Sequence, residues 1–566
     1  MTRPESPPPQ TWLNLFSQGR FPEMERLART QTEEHPHERI GWKMLGLALL
    51  QQGRLQEALP PMRTALERWP EDAETACYLG IILQETGRPQ PAEACYRHAL
   101  TLQPDHLDAH IRLGILLAEQ KKTGAAVQAC LALLAIHPDH APTLNNLGVA
   151  LQELGRHPQA ESAYREALAL QPDFAQVHCN LGTLLHEQRR TTEAEAAFRA
   201  TLRLVPEHAP ACNQLAILLQ EQKRFDEAEA AFRQALHLQP DHADTRMNLS
   251  YLYLAQERYQ EAWPLHEARY HPDITRRNAH PIDAPFPMWR GEPLAGKSLL
   301  IMHEQGFGDQ IQFCRYVPRL KAAGARRITL VCEGALAALF ARIEGVDQVL
   351  VAEQNPDHPA HDYWTLLLSI PCHLGTTPTT LPASLPYLRV SPERMAAWEQ
   401  RLPRSNGLRV GLFWQGNPEF RYDGDRSLHG LSTLAPLWSV PGVSFVSLQK
   451  GHGEEEARDP PPGQPLCYPG AWIGDFMDTA ALVEQLDLVI CSDSAVAHLT
   501  GALGKPCWVL LSWNPDWRWS QERADSPWYP GVMRLFRQSR PGAWAEVVDR
   551  VATALRRLGQ SKESSN

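Results

Sequence analysis

The chain has 566 residues, of which 43% are apolar, 21% charged and 8% aromatic, with a formal net charge of −10. That length exceeds a single core and suggests about three or four domains, and the acidic balance gives no footprint for nucleic acid. Residues Met1–Gln10 are Pro-rich with no apolar centre, so they do not read as a secretory signal, and no apolar run approaches the roughly 20 residues of a spanning helix. The 11 cysteines are scattered with no CxxC pair, which reads as reduced thiols in a cytoplasmic protein.

The first half is periodic. Prolines fall at Pro36, Pro70, Pro104, Pro138, Pro172, Pro206 and Pro240, and alanines at Ala58, Ala92, Ala126, Ala160, Ala194, Ala228 and Ala262, every 34 residues in both rows. A third row runs Gly46, Gly80, Gly114, Gly148 and Gly182, then Ala216 and Ser250. This pattern resembles the tetratricopeptide repeats, in which each unit is two antiparallel helices that approach at small residues. The proline stops the second helix of each unit. Residues 1–38 read as a tail and a degenerate capping repeat with Trp12, Leu13 and Phe16, and residues 39–269 as the array.

Two rows in the array bear on binding. His106, His140, His208 and His242 share one repeat position, so stacking separates them and they do not converge as metal ligands. Asn146, Asn180, Gln214 and Asn248 share another, on the first helix of each repeat. The repeats of the O-linked N-acetylglucosamine transferases carry a similar ladder that holds an extended peptide by its backbone. An amide can donate to C=O and accept from N–H, which suits that task; the competing structural role is to satisfy neighbouring helix ends.

Residues 270–296 hold five prolines and read as a stiff linker. Strands are then expected at 298–302, 327–332, 349–351 and 363–368, with helices over 310–323 and 335–343. After a helix and linker within 392–407 the alternation resumes: strands at 410–414, 443–448, 488–491 and 508–511, helices at 479–486 and 495–503, and a closing helix over 544–558. Strand–helix alternation predicts parallel sheets in two Rossmann-like lobes, 297–391 and 408–540, with 541–566 as closing helix and tail.

Glu304-Gln-Gly-Phe-Gly-Asp309 after the first strand, and Asp493-Ser-Ala-Val-Ala-His-Leu-Thr-Gly-Ala-Leu-Gly-Lys-Pro506 in the second lobe, resemble the lipopolysaccharide heptosyltransferases of glycosyltransferase family 9. The similarity covers roughly residues 297–558. It implies an α-solenoid of tetratricopeptide repeats followed by an α/β GT-B fold, and an inverting transferase with neither metal nor cofactor, whose donor is a nucleotide-diphosphate-sugar.

The resemblance makes Asp309 the catalytic base, against the structural role of capping its helix; His303 and Glu304 at the same strand end are rival bases. It places the donor against Gly306 and Gly308 in the first lobe and Asp493, Ser494, Ala495 and His498 in the second, where a helix N-terminus offers N–H groups to a diphosphate. The family carries Thr then Gly where this chain has Ser494 and Ala495. Its lysine lies near Arg426, with Arg421 as the alternative; either arginine can grip a phosphate. Asp423-Gly-Asp425 spells the DxD of metal-dependent transferases but lacks their fold. The aromatic cluster from Trp513 to Tyr529 could wall a nucleotide base or simply pack.

These readings predict a sugar transferase whose repeats recruit a protein or peptide acceptor. A second reading is a repeat scaffold whose lobes have become non-catalytic. A third keeps the transferase and makes the acceptor a glycan. Nucleic-acid partners and a membrane span are not expected.

Overall fold

The structure is a computed structural model that describes residues 7–274, 281–354, 359–403, 407–419 and 423–563. It divides into two units, Met1–Leu218 and Leu219–Asn566.

The first unit is a succession of antiparallel helix pairs, beginning with Pro9–Ser17 and Phe21–Glu34 and continuing through Ala175–Glu187 and Thr191–Leu204. The capping pair expected near the N-terminus is present, with Trp12 and Met24 buried. The glycine row has a steric cause. A Cβ on Gly148 would stand 2.5 Å from Tyr164, and one on Gly80 2.6 Å from Tyr96, so the ring of the second helix occupies the space that the first leaves. Where the opposing residue shrinks to Cys130, the Cβ position of Gly114 is 3.7 Å from its sulfur, and no crowding demands glycine.

Two further rows emerge only in three dimensions. First helices end in a left-handed residue: Gly53, Gly87 and Gly155 adopt it freely, whereas Lys121 (φ 56°) and Arg189 (φ 62°) adopt it against their own Cβ. The histidine row supplies N-caps. The Nδ1 atoms of His106, His140 and His208 accept from the N–H groups of Ala109 (3.4 Å), Thr143 (3.2 Å) and Ala211 (3.1 Å). A neutral imidazole thus does the work of the usual aspartate, which Asp72 performs for Thr75 at the equivalent place (3.2 Å).

The second unit opens with the end of the array: helices Phe225–Leu238, Ala243–Ala255 and Tyr259–His266, then a 3₁₀ turn Glu267–Tyr270. Two parallel sheets follow. The first contains β1 (Ser298–Met302), β2 (Arg327–Cys332), β3 (Gln348–Val351) and β4 (Tyr363–Leu366) in the order β3-β2-β1-β4. The second contains β5 (Leu408–Phe413), β6 (Val443–Ser447), β7 (Leu488–Ser492), β8 (Cys507–Leu511) and β9 (Met533–Arg537) in the order β6-β5-β7-β8-β9. Strands β1, β7 and β8 are buried at every residue, which is why they read as unbroken apolar runs. The sequence reading misses β9, an edge strand whose Arg534 and Arg537 interrupt the apolar run.

The expected boundaries move. Residues 275–280 lie outside the described residues, but the rest of the proline-rich linker belongs to the first sheet's body: Trp289 N–H donates to Trp364 C=O (2.7 Å), Trp364 N–H donates to Pro287 C=O (3.1 Å), and Trp289 is buried. Between the sheets the expected helix runs Pro392–Arg401 and is fixed to the second sheet's body through Asp478, which accepts from Trp398 Nε1 (3.0 Å) and Arg394 (2.5 Å). The last repeat is not separable from the sheets either. Trp263 Nε1 donates to Thr376 C=O (3.1 Å), Ser520 Oγ donates to Glu257 (2.8 Å), and Tyr259 packs on Trp528 at 6.0 Å.

Candidate functional site

In sheets of this order ligands bind where neighbouring strands diverge, at the carboxyl ends. In the first sheet that place lies between β1 and β4, and it is filled. Glu304, at the end of β1, accepts from Arg269 Nε (2.8 Å), Arg269 Nη2 (2.9 Å) and the N–H of Leu368 (2.6 Å), and Arg269 Nη2 also donates to Ser369 Oγ (2.7 Å). Burial lowers the Arg269 pKa, but Glu304 and Glu267 more than reverse this and keep it charged. Glu304 is therefore spent on holding the array's last turn against the sheet. It is not available as a base. His303 beside it is half-buried, with its Nδ1 buried and unpartnered.

Asp309 is half-buried. The helix expected at 310–323 starts earlier, at Phe307–Phe313, because Gly306 is its N-cap and Asp309, at the third position, accepts from the Gly306 N–H through Oδ2 (3.0 Å). Asp309 thus has the capping role anticipated for it, though not as the cap residue itself. The preceding Gln305 is left-handed (φ 59°), local strain at the mouth of the cleft. The other oxygen, Oδ1, is paired with Arg518 Nη2. Burial raises the Asp309 pKa, although Arg518 pulls the other way.

Arg518 carries no motif and escapes sequence reading. It lies in the turn Trp517–Trp519, its Nε donates to Gln312 Oε1 (2.7 Å) and its Nη1 to Asp516 (2.8 Å), and its guanidinium stands 4.3 Å over the Trp517 ring. The only prior signal was an arginine inside a tryptophan cluster.

Helix Ala495–Ala502 follows β7 and packs against helix Phe307–Phe313. The approach is close: a Cβ on Gly308 would lie 2.9 Å from His498 Cδ2 and 3.5 Å from Ala495 Cα. Gly308 is needed for that contact, whereas Gly306 contributes only its backbone N–H to the cap. His498 is buried, stacks on Trp519 (5.1 Å) and shares a hydrogen bond between Nδ1 and the Tyr529 hydroxyl (2.9 Å). Burial, with the charges of Arg518, Arg315 and Arg426, holds it neutral.

Ser494 and Ala495 remain half-exposed at the helix N-terminus, and Ser494 Oγ donates to Ser492 C=O (3.0 Å). Asp493 is buried, which with Asp516 nearby pushes its pKa up to about 6, against the pull of Arg426. Arg426 binds Asp423 (3.1 Å), which commits the first carboxylate of the DxD run. Among the described residues no group of three or more His, Cys, Asp or Glu is arranged to hold a metal ion. Arg421 lies outside the described residues.

Gly308, Ala495 and His498 are therefore in direct contact, Asp309 is joined to the second sheet's body through Arg518, and Arg426 acts on Asp493 and His498 by charge. A separate cavity of about 510 Å³ opens at Ser298, Arg327, His361 and Asp362, but Asp362 is already bonded to Ser298 N–H and Oγ (2.8 Å each) and His361 to Thr329 (2.9 Å).

The amide row is partly spent on itself. Asn180 Nδ2 donates to Asn145 Oδ1 (2.8 Å), its Oδ1 accepts from Gln176 (2.9 Å), and Asn146 Oδ1 receives a long contact from Asn145 (3.5 Å). Gln214 and Asn248 are half-buried.

Residues 27–270, less than half of the chain, match the family model described as Cilia and flagella-associated protein 70 C-terminal domain. The protein FlbA of Caulobacter vibrioides is 31% identical over 320 residues, covering 53% of this chain and 52% of that protein, so the chain spans about half the length of this curated relative. Among solved structures, Pseudomonas aeruginosa pilF is 25% identical with a TM-score of 0.33, covering 36% of this chain and 92% of that one. YrrB, described as a TPR protein with an unusual peptide-binding site, is 22% identical with a TM-score of 0.27, covering 32% and 93%. Residues 27–270 are a tetratricopeptide-type array. Such arrays serve as protein-interaction scaffolds, and the α/β part follows it in the same chain. No helix of the described residues is long and apolar enough to cross a membrane.

Proposed function

We propose that the chain is a glycosyltransferase of the GT-B, family 9-like kind, which moves a sugar from a nucleotide-diphosphate-sugar to an acceptor hydroxyl while the repeats recruit a protein acceptor. The observation that carries this reading is Asp309 on the helix that follows β1, whose neighbour Gly308 packs directly against Ala495 and His498 of helix Ala495–Ala502. Asp309 takes the proton of the acceptor hydroxyl. The acceptor oxygen bonds to the anomeric carbon as its bond to the phosphate oxygen breaks, and the nucleoside diphosphate leaves with the electron pair. The N–H groups at Ser494 and Ala495, with Arg426, meet the diphosphate charge. The raised pKa of Asp309 supports a base role, because proton transfer works best when base and medium are closely matched. No metal is required in this scheme.

Asp309→Asn keeps the size of the side chain and removes the base. Transfer should fall by about 10²–10⁴-fold while donor affinity holds, measured with a panel of UDP-, GDP- and ADP-sugars. Chelator should leave the wild-type rate unchanged. Transfer at the wild-type rate by Asp309→Asn would sink this assignment.

One observation favours the scaffold reading: both oxygens of Asp309 are already engaged, by Gly306 N–H and by Arg518. Under that reading no sugar nucleotide is turned over by any preparation, and Asp309→Asn loses stability rather than activity.

A further inference from the structure

The last repeat reaches the surroundings of Arg518. Helix Ala243–Ala255 packs against the turn Trp517–Trp519 that carries Arg518, and Trp263 meets Trp517 edge-on at 6.0 Å. From that helix Tyr251 rests edge-on against His266 at 6.0 Å. His266 occupies the aromatic packing place of the repeat, the equivalent of Tyr164 and Phe198, yet it is buried with its Nδ1 lacking a protein partner. Gln312, which accepts from Arg518 Nε, is fully buried with its Nε2 likewise unpartnered. Two buried polar groups without partners, one bonded to Arg518 and the other under its charge, mark a region that a polar ligand group or water completes.

The Tyr251 hydroxyl lies in the field of this cluster. Burial pushes its pKa up to about 12, with Asp516 and Asp309 adding to the rise and Arg518 and Arg269 opposing it, so the phenol is a donor at neutral pH. Tyr251 also lies three residues beyond Asn248, hence on the same helix face and one turn nearer the helix end. An extended polypeptide held by its backbone at Asn248 would present its next side chain at Tyr251.

We propose that Tyr251 is an acceptor-positioning residue, contributed by the last repeat, which holds the hydroxyl-bearing side chain of an extended polypeptide next to Asp309. The inference rests on the transferase reading, with its protein acceptor, and adds the residue that positions the acceptor hydroxyl. Tyr251 donates to the acceptor oxygen while Asp309 takes that oxygen's proton, so the nucleophile is aligned from both sides.

The test uses the full chain in cells that make it, with the gene deleted and then restored as wild type, Asp309→Asn, Tyr251→Phe or Tyr251→Ala. The readout is mass-spectrometric occupancy of the glycopeptides that the deletion loses. A melting-temperature shift with UDP, GDP and ADP reports on nucleotide binding separately. We expect Tyr251→Phe to lower occupancy about five- to tenfold, the loss of one positioned hydrogen bond. The nucleotide response and melting temperature of that variant should stay at wild-type values, and raised acceptor expression should restore occupancy. Full occupancy in Tyr251→Phe, with Asp309→Asn empty, overturns the role of Tyr251 and leaves the transferase reading standing. Lost modifications that reside on a glycan or lipid overturn the polypeptide class. A deletion that loses no modification overturns the transferase reading, and this inference with it.

Discussion

The repeats before Leu219 and the last repeat obey one 34-residue rule, yet they are stabilised in different ways. In the earlier repeats the core is a row of small residues mostly against rings, and apart from the buried pair Lys43–Asp72 charges such as Arg97 with Glu93 and Lys122 with Glu93 pair where solvent reaches them. In the last repeat Gly gives way to Ser250, the facing ring is His266, and Arg269 is buried in a two-pronged pair with Glu304. A repeat thus keeps its helices when its outer surface is handed to another fold. What changes is the cost of error, which is low where charges are solvated and high where they are enclosed.

That difference is sharpest at Arg269. Arg269→Ala should destabilise the second unit by about 3–5 kcal/mol, because Glu304 is left charged and enclosed. Lys122→Ala, in a solvated pair, should cost no more than about 1 kcal/mol. Denaturant midpoints measure both, and equal effects would break the comparison. By the same argument a fragment starting at residue 219 should unfold cooperatively, whereas one starting at 271 lacks Tyr259, Trp263 and Arg269 and should be markedly less stable.

Within the array the effects are smaller. Gly148→Ala drives a methyl into Tyr164 and should cost about 1–3 kcal/mol. Lys121→Gly relieves a left-handed lysine and should stabilise by up to about 1 kcal/mol. Thermal melts of the two variants should move in opposite directions.

The pH response separates the regions again. His266 and His498 are held neutral by burial well below the ordinary histidine value of 6.5, so the stability they contribute is complete above that value and is lost as pH falls below it. The slope should approach about 1.4 kcal/mol per pH unit for each histidine. Below about pH 6 Asp493, whose folded pKa is raised, takes up a proton in the folded state and offsets part of the loss. The decline should therefore level off below pH 6 at about the slope of one histidine rather than two, and His498→Gln should flatten it. In the array His140 is lowered by burial and by His137, and it too favours the neutral form that caps its helix.

Periodicity by itself determined the array, because helix pairing within a repeat depends on contacts a few residues to one turn-and-return apart, and the 34-residue rows record them directly. The strands were legible for a similar reason: a strand buried on both faces must be apolar throughout, and β1, β7 and β8 are. The resemblance picked out Gly308, Ala495 and His498 from distant parts of the chain, and the fold puts these three in contact. Only the tertiary structure decided where the array ends as a folding unit, that Glu304 is bound by Arg269 and so is no base, and that Arg518 stands beside Asp309. Each of these depends on a partner 35 to more than 200 residues away, at no fixed spacing, so no local pattern encodes it. A buried charge is specified by the shape of the cavity that receives it, and that shape exists only after the chain has folded.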